Sequence, residues 1–468
     1  MIITFLIGNG FDVNLGLKTR YCDFYKYYVN TDSSNKPLAI ERFKREIDNF
    51  IKKERNKTDN DFIDWRDLEI ALGKWTANLS AEDVQPLYFD IVDNLKEYLR
   101  KEYRFFDAEA FDSDLFVKYL LNPIEGYLTK IQKEGLLRFW SRFIGKDDFV
   151  NIINFNYTHT IEALTGSRGG RLLLGNNFAG HKTVLNPIYH IHQSLSDEEI
   201  LVGLNDESQI ANKDFRDNSH ICNLLIKPKT NELLGTGINR DCEQVIANTN
   251  LFILFGTSVG ITDKKWWNAI CMKLQGNDAR LLLFEHIREP RPHMRLKYDV
   301  MKESSIRQLI ANADIKEDSY FSNILPKCYV CYKPGIFKME PKYSEKIPEK
   351  KLYRIKNADV ELTVLDKGMK YITLSINAPD EHTGVSAESL WIKEFFPNFR
   401  ISFQSLSHYS LDGQEVPFDT LRIVSDTTSK DIIFDISSFY GKSDNFDVVK
   451  IPIQKRNDGI RKYIQELY

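Results

Sequence analysis

An apolar run from Ile2 to Ile7 stops at Gly8-Asn9-Gly10-Phe11-Asp12. A continuous run, rather than an alternating one, belongs to a strand covered on both faces. Two glycines at its end let the backbone turn sharply and approach another group with no Cβ in the way. The layout is a buried strand feeding a helix, with amides and a helix N-terminus placed to receive a phosphate. The full GxGxxG fingerprint is not met, because Val13 takes the third glycine position. A tight strand-to-helix turn without a ligand is the competing reading.

Similar runs recur at Phe149–Phe155, Leu251–Phe255 and Leu281–Phe284, with weaker ones at Leu172–Leu174 and Tyr329–Tyr332. Helical patterns separate them, which predicts an α/β fold with a mostly parallel sheet. Between the first two strong strands lies a charged insertion, about residues 24–144. In Asp90–Phe106, Ile91, Leu95, Tyr98 and Leu99 share one helical face. Near residue 340 the character changes. A charged, Pro-bearing linker is expected over 339–350. Alternating runs over 351–468 then predict a C-terminal antiparallel β domain, a sandwich closed by a short helix. The nucleotide-binding part is therefore expected over 1–338.

Composition limits the partners. The chain has 468 residues and a net charge of −3, so no global basic field recruits nucleic acid or a membrane surface. No stretch reaches the ~20 apolar residues of a membrane span, and the start does not have the pattern of a signal peptide. The six cysteines are mostly isolated, as expected of reduced thiols in a cytoplasmic protein. Cys328-Tyr-Val-Cys331 is a lone CxxC in an apolar run, read as a buried strand rather than a metal or redox site. No metal is expected.

Three further constellations fall at or just beyond predicted strand ends, where open α/β sheets bind ligands. Asn154-Phe155-Asn156-Tyr157-Thr158 offers two amides to orient a ribose or a water; helix capping by Asn or Thr158 is the alternative. His190-Ile191-His192 on a strand would aim both imidazoles into one cleft, where a histidine serves as a general base; a metal site, for which the local sequence offers no clear further ligand, and an isolated surface or core histidine are the competing readings. Gly256-Thr257-Ser258, then Gly260 and Asp263, repeats the strand–turn–helix layout. Its hydroxyls suit phosphate or ribose oxygens, against a plain N-cap at Thr262 or Asp263. Taken together, the pieces describe one crevice for a nucleotide and a base.

The stretches "IGNGFDVNLGLKTRYCDF", "NFNYTHTIE", "YHIHQ" and "LFGTSVGITDKKWW" resemble the AbiH family of bacterial abortive-infection proteins, over roughly residues 1–335. "WRDLEIAL" at Trp65–Leu72 is similar to a further motif of that family. More distantly, the motif order resembles the sirtuin-like, Rossmann-like NAD-binding fold. That resemblance implies that Gly8 and Gly10 hold the NAD phosphates, with Asn9 and Phe11 in the same cofactor-binding turn and Asp12 capping the following helix or touching a ribose hydroxyl. It also implies an Asn156 near the nicotinamide-side ribose, a catalytic base at His192, and adenosine-side contacts from Gly256, Thr257 and Ser258. Asn154, Thr158 and Asp263 complete the expected cofactor-binding set. Gln193 stands where a glycine is usual, and Thr158 where an aspartate often stands. The two CxxC pairs of a sirtuin zinc ribbon are absent, so protein deacetylation is not expected.

The resemblance thus implies an antiphage effector that hydrolyses NAD at the nicotinamide–ribose bond, with His192 and Asn156 catalytic. A phage-derived trigger and self-association are the further partners expected. The alternative is a non-catalytic nucleotide-binding sensor whose β domain recognises a partner. A nuclease ranks lower, because no paired carboxylates with metal-ligand spacing stand out.

Overall fold

The computed structural model describes the chain except residues 57–66, 105, 125–127, 178, 286–294, 316–317, 333–335, 340–346, 368–370, 398, 412–413, 425–428 and 443–468. Trp65, most of the expected linker and the expected C-terminal helix therefore lie outside the described residues. The chain forms two compact units. The first comprises Met1–Glu102 and Asp114–Lys338, and the second Tyr103–Ser113 and Met339–Tyr468.

The first unit is built on an eight-stranded sheet. Its strands are β1 (Ile2–Ile7), β2 (Asp148–Asn154), β3 (Leu172–Asn176), β4 (Lys182–Leu185), β5 (Tyr189–His190), β6 (Leu251–Phe255), β7 (Arg280–Phe284) and β8 (Cys328–Cys331). They lie in the order β3-β4-β2-β1-β6-β7-β8, with β5 beside the far end of β2. Only the β3–β4 pair is antiparallel. Counted in chain order as 1 to 6, the parallel strands β1, β2, β4, β6, β7 and β8 follow 3-2-1-4-5-6, the doubly wound order. In such a sheet the crevice opens where the order reverses, beside the C-terminal end of the first strand.

Burial explains why β1 is central. Ile3, Phe5, Leu6 and Ile7 have no exposed surface, and each such side chain stabilises the fold by roughly 1.5–3 kcal/mol. Asn154 and Phe255 both pair with Ile7. The three strands therefore end level, and Gly8, Phe155 and Gly256 leave the sheet side by side. Cys328 and Cys331 lie on β8, buried and not disulfide-bonded. β4 was not anticipated, and the strand expected through His190–His192 is β5, which ends at His190. Together they form one interrupted strand beside β2, broken where Asn186-Pro187 removes a backbone donor.

Between β1 and β2 the described chain is helical. In the helix Ala81–Tyr103, Ile91, Leu95, Tyr98 and Leu99 are buried, the face that the sequence pattern marks. No described helix is long and apolar enough to cross a membrane.

The second unit holds a separate six-stranded sheet. Its strands are β9 (Lys350–Ile355), β10 (Ala358–Lys367), β11 (Tyr371–Asn377), β12 (Arg400–Leu411), β13 (Gln414–Val424) and β14 (Ser429–Asp435), in the order β12-β13-β14-β11-β10-β9. The pairs are antiparallel except β11–β14. The expectation of a sandwich is corrected: among the described residues there is one sheet, packed on the helix Glu381–Phe395. That helix buries Gly384, Ala387, Glu388, Trp391 and Ile392, a helical rather than a strand period. Gly384, in its first turn, accommodates the Phe439 ring, which would lie 2.5 Å from a Cβ there.

Candidate functional site

The two glycine turns at the switch point pack on each other. Gly8 N–H donates to Phe255 O at 2.9 Å, Gly10 N–H to Gly256 O at 2.8 Å, and Phe11 N–H to Gly8 O at 2.9 Å. A Cβ on Gly8 would lie 2.6 Å from Gly256 O, and one on Gly10 would lie 2.6 Å from Gly256 Cα. Gly256 itself has φ +69°. The glycines are therefore required by turn-on-turn packing, and the amides of Gly8 and Gly10 are engaged within the protein. Asn9 occupies an N-cap position without a capping side-chain bond. Its amide instead exchanges hydrogen bonds with Thr19.

Asp12 does not cap the helix Gly10–Asn14 but lies within it. Its buried carboxylate accepts from Thr158 Oγ1 at 2.5 Å and from Thr160 Oγ1 at 2.7 Å. Burial pushes its pKa up to about 6, against the pull of those two hydroxyls. Thr158 thus ties the β1 and β2 turns together and is not a helix cap. Asn154 Oδ1 accepts from Asn156 N–H at 3.0 Å, and Asn156 Nδ2 donates to Gly8 O at 3.2 Å. Asn156 Oδ1 and Thr257 Oγ1 are buried without a hydrogen-bond partner.

The two histidines do not share a cleft, which corrects the strand-alternation reading. β5 ends at His190, the chain turns at Ile191-His192, and Gln193 has φ +61°. Alternation needs continuous extended backbone, and the turn ends it. His190 points away to Glu162, at 2.7 Å, and to Asn156 O, at 3.0 Å. His192 turns instead toward the third strand end. Its Nε2 lies 3.0 Å from Asp263 Oδ1, an oxygen that also accepts from Lys227 Nζ at 2.9 Å. Lys227 continues to Glu69, at 2.9 and 3.0 Å. Burial works against a charged Asp263, but Lys227 and His192 hold its carboxyl well below the usual carboxylate range. Burial likewise opposes the Lys227 ammonium, and Asp263 and Glu69 together keep it charged, with its pKa raised.

Asp263 stands at the N-cap position of the helix Lys264–Gln275 but makes no cap bond, because its carboxylate is committed to His192 and Lys227. Asp67 does cap its helix, accepting from Glu69 N–H and Ile70 N–H. Burial and the neighbouring Glu69 push its pKa up to about 6. Val259 has φ +50°, a costly conformation for a β-branched residue and one that collects at functional sites.

These groups line one cleft of about 650 Å³, within the usual range for small-molecule sites. Of the residues expected from sequence, Gly8, Asn9, Asp12, Asn156 and Thr158 line it, as do His192, Gly256, Thr257, Ser258 and Asp263. Gly10 and Asn154 lie behind the lining, and Phe11 packs its ring against Phe116, Phe255 and Phe337 in the core. The sequence reading missed Arg20, Tyr21, Asp67 and Glu69 in the wall, and Lys227 behind it. Asp67 and Glu69 belong to the "WRDLEIAL" stretch, so that signal was present. Lys227 was marked only by its place after an apolar run.

No curated protein matches the chain. The model of one family, bacteriophage abortive infection AbiH, matches residues 4–285. That span runs from within β1 through β7 and takes in every lining residue of the cleft. The chain belongs to the AbiH family of phage abortive-infection proteins.

Proposed function

We propose that this protein acts in abortive infection by cleaving the nicotinamide–ribose bond of NAD in the cleft at the sheet's switch point. The observation that carries the reading is His192 bonded to Asp263 inside that cleft. With Nε2–H donated to Asp263, Nδ1 is left as the basic nitrogen, the arrangement that orients a general base. Asp263 is held ionised while Asp67 has a pKa of about 6, the divergence that separates acid and base roles in one site.

The chemistry suits these groups. Loss of nicotinamide leaves positive charge on the ribose, and Asp67, a lining carboxylate not bound to Lys227, would stabilise it when ionised. The N–C1′ bond breaks with its electron pair passing to nicotinamide. Water bonds to C1′ and gives its proton to His192. Asn156 Oδ1, buried with no partner, would accept from a ribose hydroxyl or the water. With the Gly8 and Gly10 amides engaged, the pyrophosphate falls to Arg20, Thr257 and Ser258 in the wall. A phage-derived trigger and self-association would gate the activity, since constant hydrolysis would deplete the host's NAD.

The engaged glycine amides favour one other reading, a nucleotide sensor without chemistry. The test incubates the full chain with NAD, alone and in lysate from phage-infected cells, and measures nicotinamide and ADP-ribose. Hydrolysis that falls about 10²-fold or more in His192→Ala and Asp263→Asn is the expected result. NAD that survives while raising the melting temperature would replace the reading with the sensor. NAD that does neither would remove it.

A further inference from the structure

Beside the cleft, and not used by that chemistry, two imidazoles converge on one carboxylate. His159 precedes the helix Thr160–Thr165, Glu162 lies in its first turn, and His190 ends β5. One ligand atom from each of the three residues lies within 4.8 Å of the others. We propose that His159, Glu162 and His190 form a three-ligand site for a divalent transition ion of the zinc class, against the sequence expectation of no metal.

The outer nitrogens carry the argument. His190 Nδ1 is 3.0 Å from the Asn156 carbonyl, and His159 Nε2 is 3.0 Å from Ser196 Oγ. Each ring thus has a hydrogen-bond partner on its outer side. His190 Nε2 and His159 Nδ1 face Glu162 Oε1, at 2.7 and 3.8 Å. Metal-ligating histidines are oriented in this way by a carbonyl or hydroxyl behind them. Tetrahedral zinc with bonds near 2.1 Å separates its ligands by roughly 3.3 Å, between the two distances found here.

The carboxylate gives a second, independent sign. Glu162 Oε2 is buried with no hydrogen-bond partner, an arrangement that is costly unless something meets it. The histidines face the other oxygen, Oε1, so an ion held by both carboxylate oxygens would meet that need. The donor set of two imidazoles and one carboxylate selects zinc-class ions over calcium or magnesium. Side-chain exposures of 29, 12 and 19% for His159, His190 and Glu162 leave a path for entry and a fourth position for water. Because His190 also holds the Asn156 carbonyl, the ion would brace the turn that carries Asn156 into the cleft.

The experiment uses the full chain, stripped with chelator and titrated with Zn²⁺, then with Co²⁺ as a coloured substitute. About one ion per chain, a raised melting temperature and the visible bands of tetrahedral Co²⁺ are expected. His159→Ala changes the most exposed ligand and leaves the Asn156 bond in place, so it should fold. Its affinity should fall at least about tenfold, and so should that of Glu162→Gln. If the wild type binds no stoichiometric ion, the cluster is a protonated histidine–glutamate pair and the proposal fails. Equal binding by wild type and both variants would place the ion elsewhere and overturn it as well.

Discussion

Gly10 donates its amide to the carbonyl of Gly256 across 2.8 Å, and a Cβ on Gly10 would lie 2.6 Å from Gly256 Cα. The contact is backbone against backbone, so no side chain can swing aside. Gly10→Ala should destabilise the protein by about 3 kcal/mol, the upper range for overpacking. The control is Gly16→Ala, where φ is +89° but no atom lies within 4 Å, with an expected cost of about 1 kcal/mol. Urea unfolding of the two variants checks the difference. Equal costs would mean that the glycine serves a ligand rather than the neighbouring turn.

Lys227 lies between Glu69 and Asp263 with little access to water. Lys227→Met removes the cation and leaves two carboxylates facing each other, at a cost of about 3–5 kcal/mol. Adding Glu69→Gln removes one of the stranded charges and should restore part of that loss. A double-mutant cycle by chemical unfolding measures the recovery. A purely additive result would show that Lys227 stabilises through its packing and not its charge.

Asp12 gives a pH dependence whose sign is fixed by its burial. Its folded-state pKa is about 6, while an unfolded aspartate titrates near 3.9. Below about pH 4 both states are protonated, and the folded chain has its full stability. As pH rises from about 4 to 6 the unfolded chain loses its proton first, so stability falls, by on the order of 2–3 kcal/mol. Asp12→Asn has no such proton. The stability gap between wild type and Asp12→Asn should therefore shift against the wild type over that window, read from unfolding curves at a series of pH values. A gap that does not change with pH would show that folding leaves the Asp12 pKa unshifted.

The parallel strands were legible because each is an apolar run without alternation: the runs at Ile2, Phe149, Leu251 and Leu281 became β1, β2, β6 and β7. The strand read through His190–His192 was placed too long, because two extended residues carry no period that marks where they end. The same shortness explains the histidine pair, since extended backbone through Ile191 and His192 would have put His192 on the same side as His190. Helix Glu381–Phe395 was hidden by Gly384, which looks like a breaker until the Phe439 ring above it is seen. In the cleft, residues next to strand ends could be found from sequence. The chain of partners behind His192 could not: Asp263 is 71 positions from His192, and Lys227 is 36 from Asp263 and 158 from Glu69, and nothing local in the sequence records such a pairing.

Gln193 stands where the sirtuin-like motif order would put a glycine, and its backbone has a glycine conformation, with φ +61°. Its side chain donates to Asn231 Oδ1 at 3.2 Å, a bond that offsets part of the strain. Replacing Gln193 by Ala or by Gly removes that bond equally, so the two variants differ in backbone cost alone. Gln193→Gly should be more stable than Gln193→Ala by about 1 kcal/mol, after allowing for the greater freedom of unfolded glycine. Thermal unfolding of the pair checks the sign. Alanine equal to or better than glycine would mean that the turn relaxes out of the left-handed region when the Asn231 bond is lost. His192, the next residue, would then change its approach to Asp263 in the same variant.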